Sequence, residues 1–324
     1  MLSGKLWPAH PHPLPGECLS SWMVRTAHHN GLKVQSFGHF AFDKRYELWN
    51  RDIDRLAPES LLEQMSVKTG IPLKETKKTT LSLFEGRLFE STSLSGQLRW
   101  ITPLKLYHRK HTGYGMQYCP LCLAESTDAY YRIAWRVAFY TFCPKHLILM
   151  EDRCRHCGMA VAFHRIELGK YHQLDAPDLA VCWKCGLSLT DFTPTPVNIW
   201  HQNVHRRWKW KLAVLDRGFV NSGQIKTQRL NLLHQLCRII ASYSLAPDLQ
   251  HYLCEKTDMP FQYISDVKVA FEQRSLSERH YILELAWWLI EKYPRKINEA
   301  IKHKKLRHHH LYKDFIGLRL LRRL

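Results

Sequence analysis

The segment Tyr118–His146, "YCPLCLAESTDAYYRIAWRVAFYTFCPKH", decides how this chain is read. It opens with Cys119-x-x-Cys122 and closes with Cys143-x-x-His146, and two further pairs follow at Cys154-x-x-Cys157 and Cys182-x-x-Cys185. A Cys-x-x-Cys turn can present two thiolates to one ion. Zinc takes four nitrogen or sulfur ligands in a tetrahedron, so each pair is half a site. Four halves within 67 residues make two sites with every ligand used. Sequential pairing gives Cys119, Cys122, Cys143 and His146 around a 20-residue loop, then Cys154, Cys157, Cys182 and Cys185 around a 24-residue loop. Both loops match ordinary zinc-finger spacing, which favours this order. An interleaved cross-brace satisfies the same count. Two structural Zn²⁺ ions are the expected cofactors.

A catalytic zinc keeps a coordination position open for water, and here each set already has four ligands. The chain has no His-Glu-x-x-His, no His-x-Glu ahead of a Pro-Cys-x-x-Cys, and no Gly-x-x-x-x-Gly-Lys-Ser/Thr phosphate loop. The expectation is a protein without catalytic residues. Both halves of the second set end in glycine (Gly158, Gly186), which suits a tight turn aiming N–H groups at a thiolate. Lys145, Arg153, Arg155 and Lys184 stand beside the ligands, where they could offset thiolate charge. The remaining cysteines, Cys18, Cys237 and Cys254, read as small buried hydrophobes.

The 324 residues carry a net charge of +18, unevenly spread. Basic against acidic residues number 16 to 10 over 1–118, 8 to 8 over 119–192, and 23 to 11 over 193–324. A surplus of this kind favours polyanionic partners, DNA or RNA, through steering and counterion release. Apolar runs such as Glu284–Ile290 are too short to span a bilayer. The N-terminus has no apolar core of signal-peptide length, so a cytoplasmic protein without membrane contact is expected.

The pattern predicts a mainly α chain in three parts: a helix-turn-helix-like N-terminal domain (1–115), a double zinc-binding module (116–192) and a basic helical domain (193–324). Leu19, Trp22, Met23 and Ala27 fall on one helix face that Asn30-Gly31 would stop. A second element is expected around Val34–Phe42, a third from Pro58 to Gly70, and a fourth over Leu73–Phe89. Ser91–Gly113 reads as a connector. Between the first two Cys pairs, Trp135, Ala138, Phe139 and Phe142 suit a helix, and a strand of period two fits nearly as well. Beyond the Thr193–Pro196 boundary come helical stripes at Trp200–Leu215, Leu230–Ala241 and Ile282–Leu289, the last ending at Pro294. The basic tail has broken amphipathic character (Ile297, Ala300, Ile301, Leu311, Phe315, Leu318).

Candidate nucleic-acid or partner contacts are Arg132 and Arg136, four apart in the central segment, then Arg206, Arg207, Lys209 and Lys211 of "RRWKWK", and Lys304, Lys305 and Arg307 of the tail. The bland readings are that the two central arginines pair with zinc thiolates or acids, and that Trp208 belongs to the core stripe. His10 and His12 read as an extended lead-in, and His308–His310 as a solvated face.

"PLPGECLSSWMVRTAHHNGL" at Pro13–Leu32 resembles the opening of the TniQ/TnsD family of transposon target-selection proteins. So does the order that follows: "CPLC", "RIAW", "CPKH", "CRHCG", "CWKCG". The resemblance covers about residues 8–190; Cys18 stands where a serine is common. It implies a non-enzymatic adaptor joining a target-recognising element to a TnsC-like AAA+ ATPase and thence to the transposase. Shorter members dock on a Cascade-type CRISPR RNA effector complex, in some cases as a homodimer. Longer, TnsD-like members read an attachment site in DNA directly. The length of this chain favours the RNA-guided branch, and its basic C-terminal third keeps direct DNA reading as the alternative.

Overall fold

The first helix is built from residues that bury both its faces. In the computed structural model, which describes residues 4–42, 46–105, 113–169, 178–217 and 227–312, α1 (Leu19–His29) has every side chain from Leu19 to Ala27 buried. The apolar face anticipated from Leu19, Trp22, Met23 and Ala27 is there. The polar residues of the helix, Ser20, Ser21, Arg25 and Thr26, are each satisfied internally. Nε and Nη2 of Arg25 donate to the two carboxylate oxygens of Glu17, both at 2.8 Å, and Nη1 donates to Asp128. Glu17 also accepts from Ser21 Oγ at 2.8 Å and from the Leu14 amide at 2.9 Å. Burial pushes the Glu17 carboxyl above its ordinary value, while Arg25 pulls it down. A buried charge is tolerated only when paired and hydrogen-bonded in this way.

After α1 come α2 (Val34–Ala41) and α3 (Ile53–Leu56), which pack against it, then α4 (Glu59–Thr69) and α5 (Leu73–Lys77), which pack against each other. Gly70 ends α4 in the left-handed region (φ 73°), where glycine carries no Cβ penalty. The expected fourth helix over Leu73–Phe89 is cut short: α5 stops at Lys77 and only a 3₁₀ turn, Leu81–Phe84, follows. Thr79 and Thr80 explain the break. Their hydroxyls donate to the carbonyls of Thr76 and Lys77 at 2.7 and 2.8 Å, an alternative to the helical ladder that a hydroxyl side chain offers the backbone.

The connector after Phe89 lacks regular structure and yet reaches the centre of the molecule. Leu98, Trp100 and Ile101 are buried. The Trp100 ring meets Phe139, His234 and Phe271 edge-on, with centroids 5.0, 4.9 and 5.6 Å away. Its backbone N–H donates to Glu272 Oε1 at 2.7 Å. One strap thus ties the N-terminal, central and C-terminal segments together.

The central segment contains α6 (Pro120–Ala124) and a 3₁₀ turn at Ile133–Arg136; the described residues form isolated β-bridges and no extended strand. The helix expected through Trp135–Phe142 is therefore replaced by the 3₁₀ turn and a second tight turn, closed by the Tyr140 N–H on Val137 O at 2.9 Å. All residues from Ala129 to Pro144 except Arg132 are buried, and burial on every side leaves no solvent face to impose a period. Long-range partners satisfy the backbone: Ala138 N–H donates to Trp100 O at 2.7 Å, Thr102 N–H to Arg136 O at 2.9 Å, and Arg279 Nη1 to Ala138 O at 2.6 Å.

The C-terminal region is helical: α7 (Gln202–Asp216), α8 (Thr227–Ile240), α9 (Leu249–Thr257), α10 (Leu276–Glu291), α11 (Arg295–Lys302) and α12 (His308–Tyr312). α10 packs against α7, α8, α9 and α11, and Trp208 of α7 stacks on Trp287 of α10 at 4.5 Å. α10 ends at Glu291, ahead of the expected Pro294, and α9 had no counterpart among the expected helices. The first part of the basic tail is packed, with Ile297, Ala300, Leu306 and Leu311 buried; Phe315 and Leu318 lie outside the described residues. No described helix is long and apolar enough to cross a membrane.

Candidate metal centres

Three of the four half-sites are the same turn built three times. Cys143, Cys154 and Cys182 each donate a backbone N–H at 2.8 Å to the carbonyl five residues on (Ile148, Met159, Leu187). Each accepts at 2.9 Å from the N–H four residues on (Leu147, Gly158, Gly186). The residue at that fourth position has positive φ: 72° at Gly158, 74° at Gly186 and 56° at Leu147. Glycine takes this conformation freely, whereas leucine is strained in it. The remaining half-site differs. Cys119 is the N-cap of α6, Pro120 occupies the first helical position, and the Cys122 amide donates to Cys119 Sγ at 3.4 Å.

These turns bring Cys119, Cys122, Cys143 and His146 together, and separately Cys154, Cys157, Cys182 and Cys185, with ligand atoms of each group within 4.8 Å of one another. The sequential grouping is the one formed. His146 Nδ1 stands 3.3, 3.4 and 3.5 Å from the sulfurs of Cys119, Cys122 and Cys143. Cys122 and Cys143 sulfurs are 3.7 Å apart; in the second group Cys154–Cys185 and Cys157–Cys182 are 3.8 and 3.6 Å. Bonds of ~2.3 Å to sulfur and ~2.0 Å to nitrogen at tetrahedral angles place sulfurs ~3.8 Å apart and sulfur ~3.5 Å from nitrogen. Both clusters fit two structural zinc ions.

The first cluster has a supporting carboxylate that sequence reasoning missed. Glu125 Oε1 lies 2.9 Å from His146 Nε2, so Nε2–H donates to it and the Nδ1 lone pair turns towards the sulfurs. Lys145 donates to the other oxygen, and the hydrogen bonds from Lys145 and His146 hold the Glu125 carboxyl below its usual range. The signal was present in sequence as an acid three residues after Cys122, at the end of the same short helix. The flanking cations engage acids: Lys145 with Glu125, Arg155 with Glu151, and Arg153 with Asp152 at 2.7 Å, its guanidinium also lying 3.9 Å from the Tyr114 ring. At Lys184 it is the backbone N–H that serves the site, donating to Cys182 Sγ at 3.4 Å.

The candidate contact residues separate into two groups. Arg136 is fully buried, which removes it from any binding surface. Its Nη1 and Nη2 donate to the Asp52 carboxylate at 3.0 and 2.6 Å, and Nη2 also to Thr102 O at 3.0 Å. Asp54, 3.5 Å from Nη1, accepts the Ser20 amide at 2.8 Å and hydroxyl at 2.9 Å in the first turn of α1. Arg132 is largely covered, 3.6 Å from Asp216 and 5.6 Å from the Trp135 ring. Arg206 and Arg207 are exposed on α7, Lys209 and Lys211 half-buried, and Trp208 is in the core. Lys304, Lys305 and Arg307 follow α11, with Lys305 3.3 Å from Asp248. His308 and His309 are exposed, but His310 is buried and its carbonyl accepts from Gln235 at 2.6 Å, so that run is not a solvated face throughout. Cys18, Cys237 and Cys254 are buried free thiols.

Residues 8–150 match the family model TniQ. The match includes α1 with its Glu17–Arg25 pair, the Arg132–Arg136 turn and the whole first cluster, and stops before Cys154; it is thus shorter than the resemblance to about residue 190 read from the motifs. No curated protein matches the chain. The motif that opens the match is the one whose buried glutamate and serines seat α1, and residues 8–150 of the chain carry a TniQ domain, the domain of transposition target-selection proteins.

Proposed function

We propose that this protein is a non-enzymatic adaptor in target selection, linking an RNA-guided Cascade-type effector complex to a TnsC-like AAA+ ATPase and through it to the transposase. The observation that carries the reading is the TniQ match over residues 8–150. The metal centres agree with it, because each offers four protein donors and so completes a structural coordination shell. In this reading the eight Cys and His residues are zinc ligands that hold the chain, residues 1–115 form a helix-turn-helix-like docking domain, 116–192 the zinc module and 193–324 a basic helical domain. The protein works in the cytoplasm, and a homodimer is one form in which it docks. The test is co-purification of the tagged chain with a Cascade-type complex and with the ATPase, each expressed beside it. Retention by both is the expected result, and failure to hold either abandons the reading.

A second reading, direct recognition of an attachment site in duplex DNA, is favoured by the exposed Arg206, Arg207 and Arg307 of the basic C-terminal region. It predicts a large affinity ratio between the attachment site and scrambled duplex at fixed salt; equal affinities would remove it.

A further inference from the structure

The motif "RRWKWK" is divided by the fold. Helical geometry puts Trp208 inward, stacked on Trp287, and turns Trp210 outward with 51% of its surface exposed. Asn203, Arg206 and Trp210 follow one another at spacings of three and four, so they share one face of α7, and Arg217 continues it at the C-terminal end. Trp200, exposed to 38%, stands just before the helix. Arg206 spends one bond on Asn203 within its own helix, at 2.9 Å.

The flank of this face is crowded with like charge. Lys211 rests 3.9 Å over the Trp208 ring; burial presses its pKa down to about 8, and Arg229 and Arg207 press in the same direction. On the other side Lys296 feels Lys292. Among the described residues, one acid lies within ion-pair distance of these cations: Glu291, 3.8 Å from Arg207 and 3.5 Å from Lys296. Cations gathered around a single acid cost folding energy and leave unspent attraction for a polyanion. Bare indole beside them adds an affinity that phosphate alone does not use, since a base can stack on it.

We propose that the outer face of α7, with Arg229 and the end of α10 at its edges, binds single-stranded nucleic acid, Arg206 and Arg207 taking phosphates and Trp210 stacking a base. This rests on the adaptor reading only for its setting, because strand binding is measured on the purified chain alone and partner retention by co-purification, so either can fail without the other.

The experiment is fluorescence anisotropy of the full chain with labelled oligothymidylate, oligouridylate and a hairpin duplex over a range of salt. The expected result is tighter binding to single strands than to the duplex; the two single-stranded probes decide between DNA and RNA as the source. Replacing both arginines (R206A with R207A) should flatten the dependence of log affinity on log salt by about 1.4 units, at roughly 0.7 for each phosphate left without its arginine. W210A should weaken binding about tenfold at fixed salt and leave that slope unchanged, and W210F should recover most of the affinity. Circular dichroism and zinc content establish that the variants fold. Folded variants that bind like the parent, preference for the duplex, absence of binding, or displacement by polyglutamate as effective as by unlabelled strand would each overturn the proposal, the last pointing to an acidic protein surface.

Discussion

The first cluster has three of its four ligands buried, and Phe142, beside Cys143, packs 6.1 Å from Trp287 and stacks on His205 at 4.7 Å. In the second cluster Cys157 is exposed and Cys185 half-buried, and Tyr131 is one of its attachments to the core, its hydroxyl donating to Leu179 O at 3.0 Å and its ring stacking on Phe163 at 4.4 Å. The turn is shared, but the setting is not. One ion site is continuous with the core, and the other closes a loop on its edge. Ligand type alone would rank the all-cysteine site as the stronger anchor; burial of the surroundings reverses that ranking for the fold as a whole.

The sharpest way to break this comparison is to remove one ligand from each. Cys122→Ala should release one zinc and abolish the cooperative unfolding transition, because structural metal binding is folding free energy. Cys157→Ala should also release one zinc while the helical circular dichroism persists, with a melting temperature lower by several degrees. Equal collapse of the two variants would show that the second site is as deeply coupled as the first. Next in size comes the buried ion cluster beneath α1. Arg136→Met leaves Asp52 and Asp54 facing each other without their cation and should cost about 3–5 kcal/mol in urea unfolding. Burial and the Asp52 charge already raise the Asp54 carboxyl to about 6, against the pull of Arg136.

Smaller effects separate the two clusters at single positions. Glu125→Ala removes the carboxylate that orients His146 and should weaken the first zinc about 10–100-fold in a chelator competition, leaving the second unchanged. Gly158→Ala gives the second cluster the strained turn that Leu147 imposes on the first. No atom lies within 4 Å of the added Cβ, so the cost is backbone strain alone, ~1 kcal/mol in the melting of the variant. A neutral outcome would mean that the metal, and not the turn, sets the local conformation.

How much of this was readable depended on distance along the chain. The clusters were legible because each half-site is a four-residue unit whose chemistry travels with it. The ends of α1 and α4 were legible for the same reason, from Asn30-Gly31 and from Gly70. For Arg136 a pairing with acids was among the readings, but not which acids, since they lie 84 and 82 residues away and nothing near it in sequence names them. The Ala129–Pro144 segment misled because periodicity reports a boundary between core and solvent, and this segment has none. The break after Lys77 was visible only as two adjacent threonines, whose preference for back-bonding is a weaker signal than the apolar pattern around them.

The strap at Trp100 has a consequence for grafting. A C-terminal region that carried a different binding face could be exchanged between relatives only together with what it grips, since Glu272 caps the Trp100 amide and Phe271 and His234 wall its ring. A crossover placed at the proline-rich boundary near Pro196 would look natural in sequence and would part those partners. The transplantable unit is therefore discontinuous: residues 98–102 belong with the helices that follow them by more than a hundred positions.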